Sequence, residues 1–394
     1  MKRLPTKLPK RRYKNYYINL NKIQDLYFAL LRAAIYQTEC PAIPELNEKD
    51  WAALIRLALR QGTGPLVYDL MLMHDCPGLT CEMTEFIKGT TAHTMLLQEQ
   101  QRRVMRQASE ALRAGGIEPV LMKGLTLARR YPKPYLRASG DVDLFVGKGN
   151  YHLGAKILRE TFPDAPRFDT EEEYFRHYNI NVGPVPVEMH RVSRSFAHPR
   201  DAKYYDKLEA LGLDGQRVLV HDGEDTYYEP EAKFNVLFVF LHSWEHFVTE
   251  TPSLRQLTDL ALLLRQNSEA ELTNYLKKNL SRLHVKDAWQ LYAYILVHYL
   301  GLPEDKCPLY TARVKDRAEL LLQQILFGER PQPQGKGNAP KNVILRKLYT
   351  FISRTRDARE IAKYCPSYAR HMVITDIAQS WDRFLKGQNT RHWE

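Results

Sequence analysis

Apolar residues recur at helical spacing through the first hundred positions and change to strand-like alternation in the middle third of the chain. Helical periodicity marks Tyr17 to Tyr36, Trp51 to Leu59, Pro65 to Met73 and a long polar-rich run from Thr84 to Ala114. The pair Gly115-Gly116 punctuates that run as a turn. From Pro119 to about Tyr228, short β segments alternate with helices such as Tyr151 to Glu160. Asp222-Gly223 is expected to turn a hairpin between Arg217 to Val220 and Thr226 to Tyr228. Residues 232–326 return to helix. Gly328 to Pro340, rich in Pro, Gly and Gln, reads as a linker or mobile loop, and a basic helical stretch follows. The expected organisation is a basic tail (1–16), a helical region (17–114), a chemical core (115–230), a second helical region (231–327), the linker (328–340) and a basic helical C-terminal region (341–394). The fold class is α+β, a small mixed sheet flanked by largely helical N- and C-terminal regions.

Within the alternating third, carboxylates interrupt apolar strands. In Leu136-Arg137-Ala138-Ser139-Gly140-Asp141-Val142-Asp143-Leu144-Phe145-Val146, strand alternation sends Asp141 and Asp143 to one face while Val142, Leu144 and Val146 enter a core. Two like charges on one face repel, so the pair calls for a cation, an arginine or plentiful water. A hard divalent ion such as Mg²⁺ suits the oxygens best, although a half-buried strand with a solvated acidic face has the same spacing. In Val185-Pro186-Val187-Glu188-Met189-His190, Glu188 projects opposite Val185, Val187 and Met189. Beside the aspartate strand it would bring a third carboxylate to the same face, enough to hold two ions with waters. His190 shares that face and either positions an acceptor or caps the polar cluster.

Upstream, Val120-Leu121-Met122-Lys123-Gly124-Leu125 reads as a buried strand, a glycine turn and a helix start. Such a turn lets backbone N–H groups approach a phosphate, and Lys123 adds a cation. It is not a Walker A loop, since G-x-x-x-x-G-K-[ST] is absent. Arg129, Arg130, Arg137 and Ser139 follow as further anion donors, although an ordinary strand-turn-helix with surface arginines would look similar.

The stretch LMKGLTLARRYPKPYLRASGDVDLFV, followed by VEMHRVS, resembles the nucleotidyltransferases of the DNA polymerase β superfamily. Within it, the likeness is to a poorly characterised bacterial group known simply as nucleotidyltransferase family proteins. The resemblance implies a nucleotidyltransferase-type sheet and transfer of a nucleoside monophosphate from an NTP to a hydroxyl acceptor, with pyrophosphate leaving. It assigns Asp141, Asp143 and Glu188 to metal binding and catalysis with Mg²⁺ or Mn²⁺. Lys123 and Gly124 match the nucleotide-binding turn, and Arg137, Ser139 and Gly140, between that turn and the aspartates, are expected to contact the nucleotide as well. Leu125 stands where the superfamily usually has serine after the glycine, so a serine contact to phosphate is missing there. The acceptor is left open among a small molecule, a glycan, a protein and RNA. The other class of reading is a catalytically silent binding or scaffold protein that keeps the fold and uses a basic surface.

His242-Ser243-Trp244-Glu245-His246 fits the inverted zinc-protease pattern H-x-x-E-H, but five-residue patterns arise by chance. His246 is expected instead in the helical wall of the nucleotide cleft, with Arg255 and Asp259 spaced i, i+4 for a salt bridge.

Composition narrows the setting. With 394 residues, 44% hydrophobic and 26% charged, the chain has the make-up of a water-exposed globular protein, and it contains no transmembrane-length apolar run. It opens Met1-Lys2-Arg3-Leu4-Pro5 without an apolar signal region, so the cytoplasm is the expected location. Five scattered cysteines argue against a disulfide framework. A net charge of +11, concentrated partly in Lys2 to Lys14 and Lys341 to Arg391, favours anionic partners. These include NTP, with nucleic acid and anionic membrane surfaces also admitted.

Overall fold

The structure is a computed structural model that describes residues 10–166, 176–196, 198–249, 253–267, 269–328 and 355–385. The basic residues 1–9 and the proposed linker beyond Gly328 lie outside the described residues, as do the chain termini of the basic C-terminal region.

Four helices open the chain: α1 (Lys10–Tyr36), α2 (Glu48–Arg60), α3 (Gly64–Met73) and α4 (Cys81–Ala114). Thr80 caps α4 by accepting from the Met83 N–H, which satisfies one orphan donor of the first turn. At its other end Gly116 takes φ +83°, and Ile117 N–H reaches back to Leu112 O. This left-handed cap stops the helix and starts the first strand.

The sheet contains β1 (Val120–Met122), β2 (Val142–Phe145), β3 (His177–Val182), β4 (Val185–His190), β5 (Val218–Asp222) and β6 (Asp225–Glu229), in the order β3-β4-β2-β1-β6-β5. It is mixed: β2 runs parallel to β4 and β1 parallel to β6, while β1–β2, β3–β4 and β5–β6 are antiparallel. The β5–β6 hairpin turns at Asp222-Gly223, with Gly223 at φ +63°. Between β1 and β2 lies the short α5 (Gly124–Ala128), and α6 (Gly147–Thr161) follows β2. Beyond β4 comes α7 (Pro199–Glu209), and after β6 come α8 (Ala232–Thr249), α9 (Leu254–Arg265), α10 (Glu269–Arg282), α11 (Lys286–His298) and α12 (Lys315–Phe327). A C-terminal helix spans Pro366–Leu385.

Two cores flank the sheet. Leu121, Val142, Leu144, Val187 and Met189 point to one face and pack with Leu112 of α4 and Leu158 of α6. Val120, Met122 and Phe145 point to the other and join the larger helical core built on Phe234, Trp244, Leu257 and Trp289. Strand alternation therefore puts Asp143, Glu188 and His190 on the helical side, facing α8 and α9. No helix among the described residues is long and apolar enough to cross a membrane.

Candidate active site

The parallel register of β2 and β4 sets Asp143 beside Glu188 and Phe145 beside His190. Ligand atoms of Asp141, Asp143 and Glu188 lie within 4.8 Å of one another. Asp141 and Glu188 line a cavity of about 510 Å³ between the sheet and α8–α9, and Asp143 lies beneath them at 0% exposure. Its Oδ1 receives both the Lys123 ammonium at 2.8 Å and His190 Nε2 at 2.8 Å, whereas Oδ2 is buried with no hydrogen-bond partner.

Electrostatics follow from that crowding. Burial by itself would raise the Asp143 carboxyl, but Lys123 and then His190 hold it well below the usual carboxylate range. Repulsion from Asp143, then burial, pushes Asp141 up. Glu188 is also subject to burial, yet the hydrogen bond from His190, 3.4 Å away, brings it below its ordinary value. Lys123 is held above its ordinary value: burial opposes its charge, and Asp143 and Asp141 outweigh the burial.

Several residues take roles the sequence pattern did not suggest. Lys123 is 8% exposed and ion-paired to Asp143, so it neutralises the carboxylate cluster in addition to facing the cavity. Arg137, expected to bind phosphate, is committed to Asp259 through two hydrogen bonds of 2.7 Å, and Tyr131 donates to the same carboxylate. Asp259 therefore does not pair with Arg255 as its i, i+4 spacing suggested. Arg129 and Arg130 both turn to Glu229 at the end of β6 and do not line the cavity. His190, at 1% exposure, is a buried partner of the carboxylates and does not line the cavity.

Arg255 gains importance from this rearrangement. It lines the cavity, donates to Ala138 O at 2.8 Å, and makes no ion pair among the described residues; its Nε has no partner. Burial, then the charge of Arg137, lowers its pKa, and the attraction of an anion in the cavity would offset both. Ser139 Oγ is also buried without a partner and lies beside Gly124, where an added Cβ would meet Asp141 O at 3.2 Å and Ser139 Oγ at 3.3 Å. Gly124 and Gly140 complete this wall.

The opposite wall comes from α8 and from residues that sequence reasoning missed. His177, at the start of β3, stands 4.0 Å from Glu188, and Arg176 before it contacts Glu245 at 3.4 Å. His177 was legible in the alternation of Tyr178, Ile180 and Val182, which sends it to Glu188's face. In H-x-x-E-H, Glu245 is taken by Arg176 and Arg194, while His242 and His246 meet at 3.1 Å between Nε2 atoms. Burial, then the charge of Lys123, keeps His242 well below its ordinary pKa. Neither histidine belongs to a possible metal-ligand group among the described residues. His246, Arg255 and Asp259 do share the cavity wall.

A family described as "Uncharacterised nucleotidyltransferase" matches residues 47–301, well over half of the chain and all of the sheet. The chain belongs to this family. This member is also similar in structure to an antigenic nucleotidyltransferase-like protein from Paracoccidioides brasiliensis. That match covers 55% of this chain and 95% of the other, with 13% sequence identity and a TM-score of 0.31. No curated protein matches the sequence.

Proposed function

We infer that this family member transfers a nucleoside monophosphate from an NTP to a hydroxyl acceptor, releasing pyrophosphate, with Mg²⁺ or Mn²⁺ held by Asp141, Asp143 and Glu188. The observation that carries the reading is the buried, unpartnered Oδ2 of Asp143 within a three-carboxylate cluster at the cavity floor. A buried anionic oxygen left without a donor is costly, and an oxygen-seeking cation is the partner that suits it. Bound there, the metal would supply charge neutralisation for the phosphates and acidify the attacking hydroxyl.

The chain's own residues would do the rest. Arg255 and Ser139, both with unused donors, grip phosphate oxygens, and Lys123 adds charge at the cavity edge. Gly124 lets the backbone come close enough to Asp141 to keep that loop and the phosphate wall together. Glu188, held toward its ionised form by His190, serves better as a ligand than as a proton acceptor. The cavity volume falls within the range of small-molecule sites, and its aliphatic wall at Leu127 and Val239 gives a base or sugar an apolar surface.

The test is to incubate the protein with each α-labelled NTP, Mg²⁺ or Mn²⁺ and cell extract, following pyrophosphate and labelled products. Asp143→Asn is expected to abolish metal-supported transfer, leaving about a thousandth or less of the wild-type rate, as when a preorganised charge contact is lost. Circular dichroism checks that the variant remains folded. Pyrophosphate release by wild type and Asp143→Asn alike would refute the metal assignment, and release by neither with any NTP would refute the reading and leave the scaffold alternative.

A further inference from the structure

Away from the cavity, three chain segments bring metal-ligand side chains together. Asp201 comes from the first turn of α7, His284 from the turn between α10 and α11, and His371 from the C-terminal helix. Ligand atoms of the three lie within 4.8 Å of one another, and none of these residues lines the cavity. His371 Nε2 stands 2.7 Å from Asp201 Oδ2, and the His284 and His371 rings stack with centroids 4.0 Å apart. Arg282 holds the other oxygen, Asp201 Oδ1, at 2.9 Å, which fixes the carboxylate while leaving Oδ2 directed at the histidines. His198 adds a further imidazole whose ring is 5.6 Å from that of His371.

We propose that Asp201, His284 and His371 form a second metal site, for Zn²⁺ or a similar borderline divalent ion, that fastens the C-terminal helix to the nucleotidyltransferase region. Two imidazoles and one carboxylate are a zinc donor set. The carboxylates Asp141, Asp143 and Glu188 at the cavity floor suit Mg²⁺ or Mn²⁺, but His177 and His190 group with Glu188 there as well, so a variant of the cavity carboxylates is needed to tell the two sites apart. Zinc bonds of about 2.0–2.2 Å place tetrahedral ligand atoms roughly 3.3–3.6 Å apart. Binding therefore requires the 2.7 Å Asp201–His371 contact to open slightly. Asp201 is buried, His371 partly so and His284 exposed, which leaves a solvent-facing side for metal entry and for a water or His198 as the fourth ligand. The site also gives a reason for two histidines and an aspartate far apart in sequence to converge where His371 of the C-terminal helix meets α7 and the α10–α11 turn.

The test uses the full chain without an affinity tag. After incubation with Zn²⁺ and gel filtration, metal analysis is expected to find one zinc per chain, retained in an Asp141→Asn/Glu188→Gln variant, so its outcome is independent of whether the cavity is catalytic. His284→Ala and His371→Ala should each weaken zinc binding at least tenfold in a competition titration against a chromophoric chelator. Because either variant could lose the helix for other reasons, Co²⁺ substitution of the wild type provides a second readout. A tetrahedral nitrogen–oxygen site gives visible absorption that Zn²⁺ then displaces stoichiometrically. Absence of bound zinc and of a displaceable cobalt spectrum would show a hydrogen-bonded contact only and overturn the proposal. Zinc that survives in both histidine variants, or disappears in the Asp141→Asn/Glu188→Gln variant, would overturn it equally.

Discussion

Arg137 and Asp259 lie 122 residues apart and meet by two charge-assisted hydrogen bonds, both side chains almost wholly removed from water. A pair buried in this way holds its geometry because each charge is the other's principal substitute for solvent, with Tyr131 donating to the same carboxylate, and removing one partner typically costs about 3–5 kcal/mol. Arg137→Met is therefore expected to lose stability on that scale, measured by urea unfolding. Adding Asp259→Leu should return much of it, since no charge is then left buried alone. A nucleotide-gripping arginine would behave differently: Arg137→Met would keep its stability and lose NTP affinity. By the same reasoning Arg255, which has no carboxylate partner among the described residues, should show the second pattern, with weakened NTP binding and little change in unfolding.

The turn between β1 and α5 joins the phosphate wall to the carboxylates. Lys123 takes φ +48° and Gly124 φ +29°, conformations in which a side chain is strained, and Lys123 is held there by its ion pair with Asp143. At Gly124 a methyl group would press on Asp141 O and Ser139 Oγ. Gly124→Ala is expected to cost on the order of 1 kcal/mol in stability. Its loss of transfer activity should be larger, because the Asp141 loop must yield to make room. Unfolding and pyrophosphate release measured on the same preparation check this, and unchanged activity would show that the loop is free to move without consequence.

For the whole molecule, pH dependence should come from buried groups, since exposed charges are screened. Glu209, at the end of α7, accepts from both the backbone N–H and the hydroxyl of Ser193, just beyond β4, and so ties that helix to the sheet. Burial nevertheless pushes its carboxyl above the ordinary value, with the Ser193 hydrogen bonds offsetting part of the rise. A raised native pKa favours the protonated form on folding. Its contribution is complete below the unfolded value and is lost as pH rises through the native one. Glu209→Gln keeps an oxygen for Ser193 but cannot ionise. Melting temperatures taken from about pH 4 to about pH 7 should show wild type losing ground to the variant as pH rises. A constant difference would mean that Glu209 does not change its protonation on folding relative to the unfolded chain.

Local pattern determined much of this protein. Period-2 alternation put Asp143 and Glu188 opposite Val142, Leu144, Val187 and Met189, Gly115-Gly116 and Asp222-Gly223 marked turns, and helical periodicity located α2 to α4 to within three residues of their ends, whereas α1 begins at Lys10, inside the expected basic tail and seven residues before Tyr17. These features were legible because alternation, caps and turns depend on neighbours in the chain, and the resemblance carried in the same stretch pointed to the family. Tertiary structure decided which of the residues thus placed have a free function. Lys123, Arg129, Arg130 and Arg137 look alike in sequence as cations near a glycine turn, yet Asp143, Glu229 and Asp259 claim them from distant elements. Arg176 and the Asp201–His284–His371 cluster were likewise invisible, because no spacing rule links residues whose proximity arises only when sheet and helices pack. Coulomb attraction and desolvation act through space, so the choice between a buried structural ion pair and an available ligand belongs to the folded molecule.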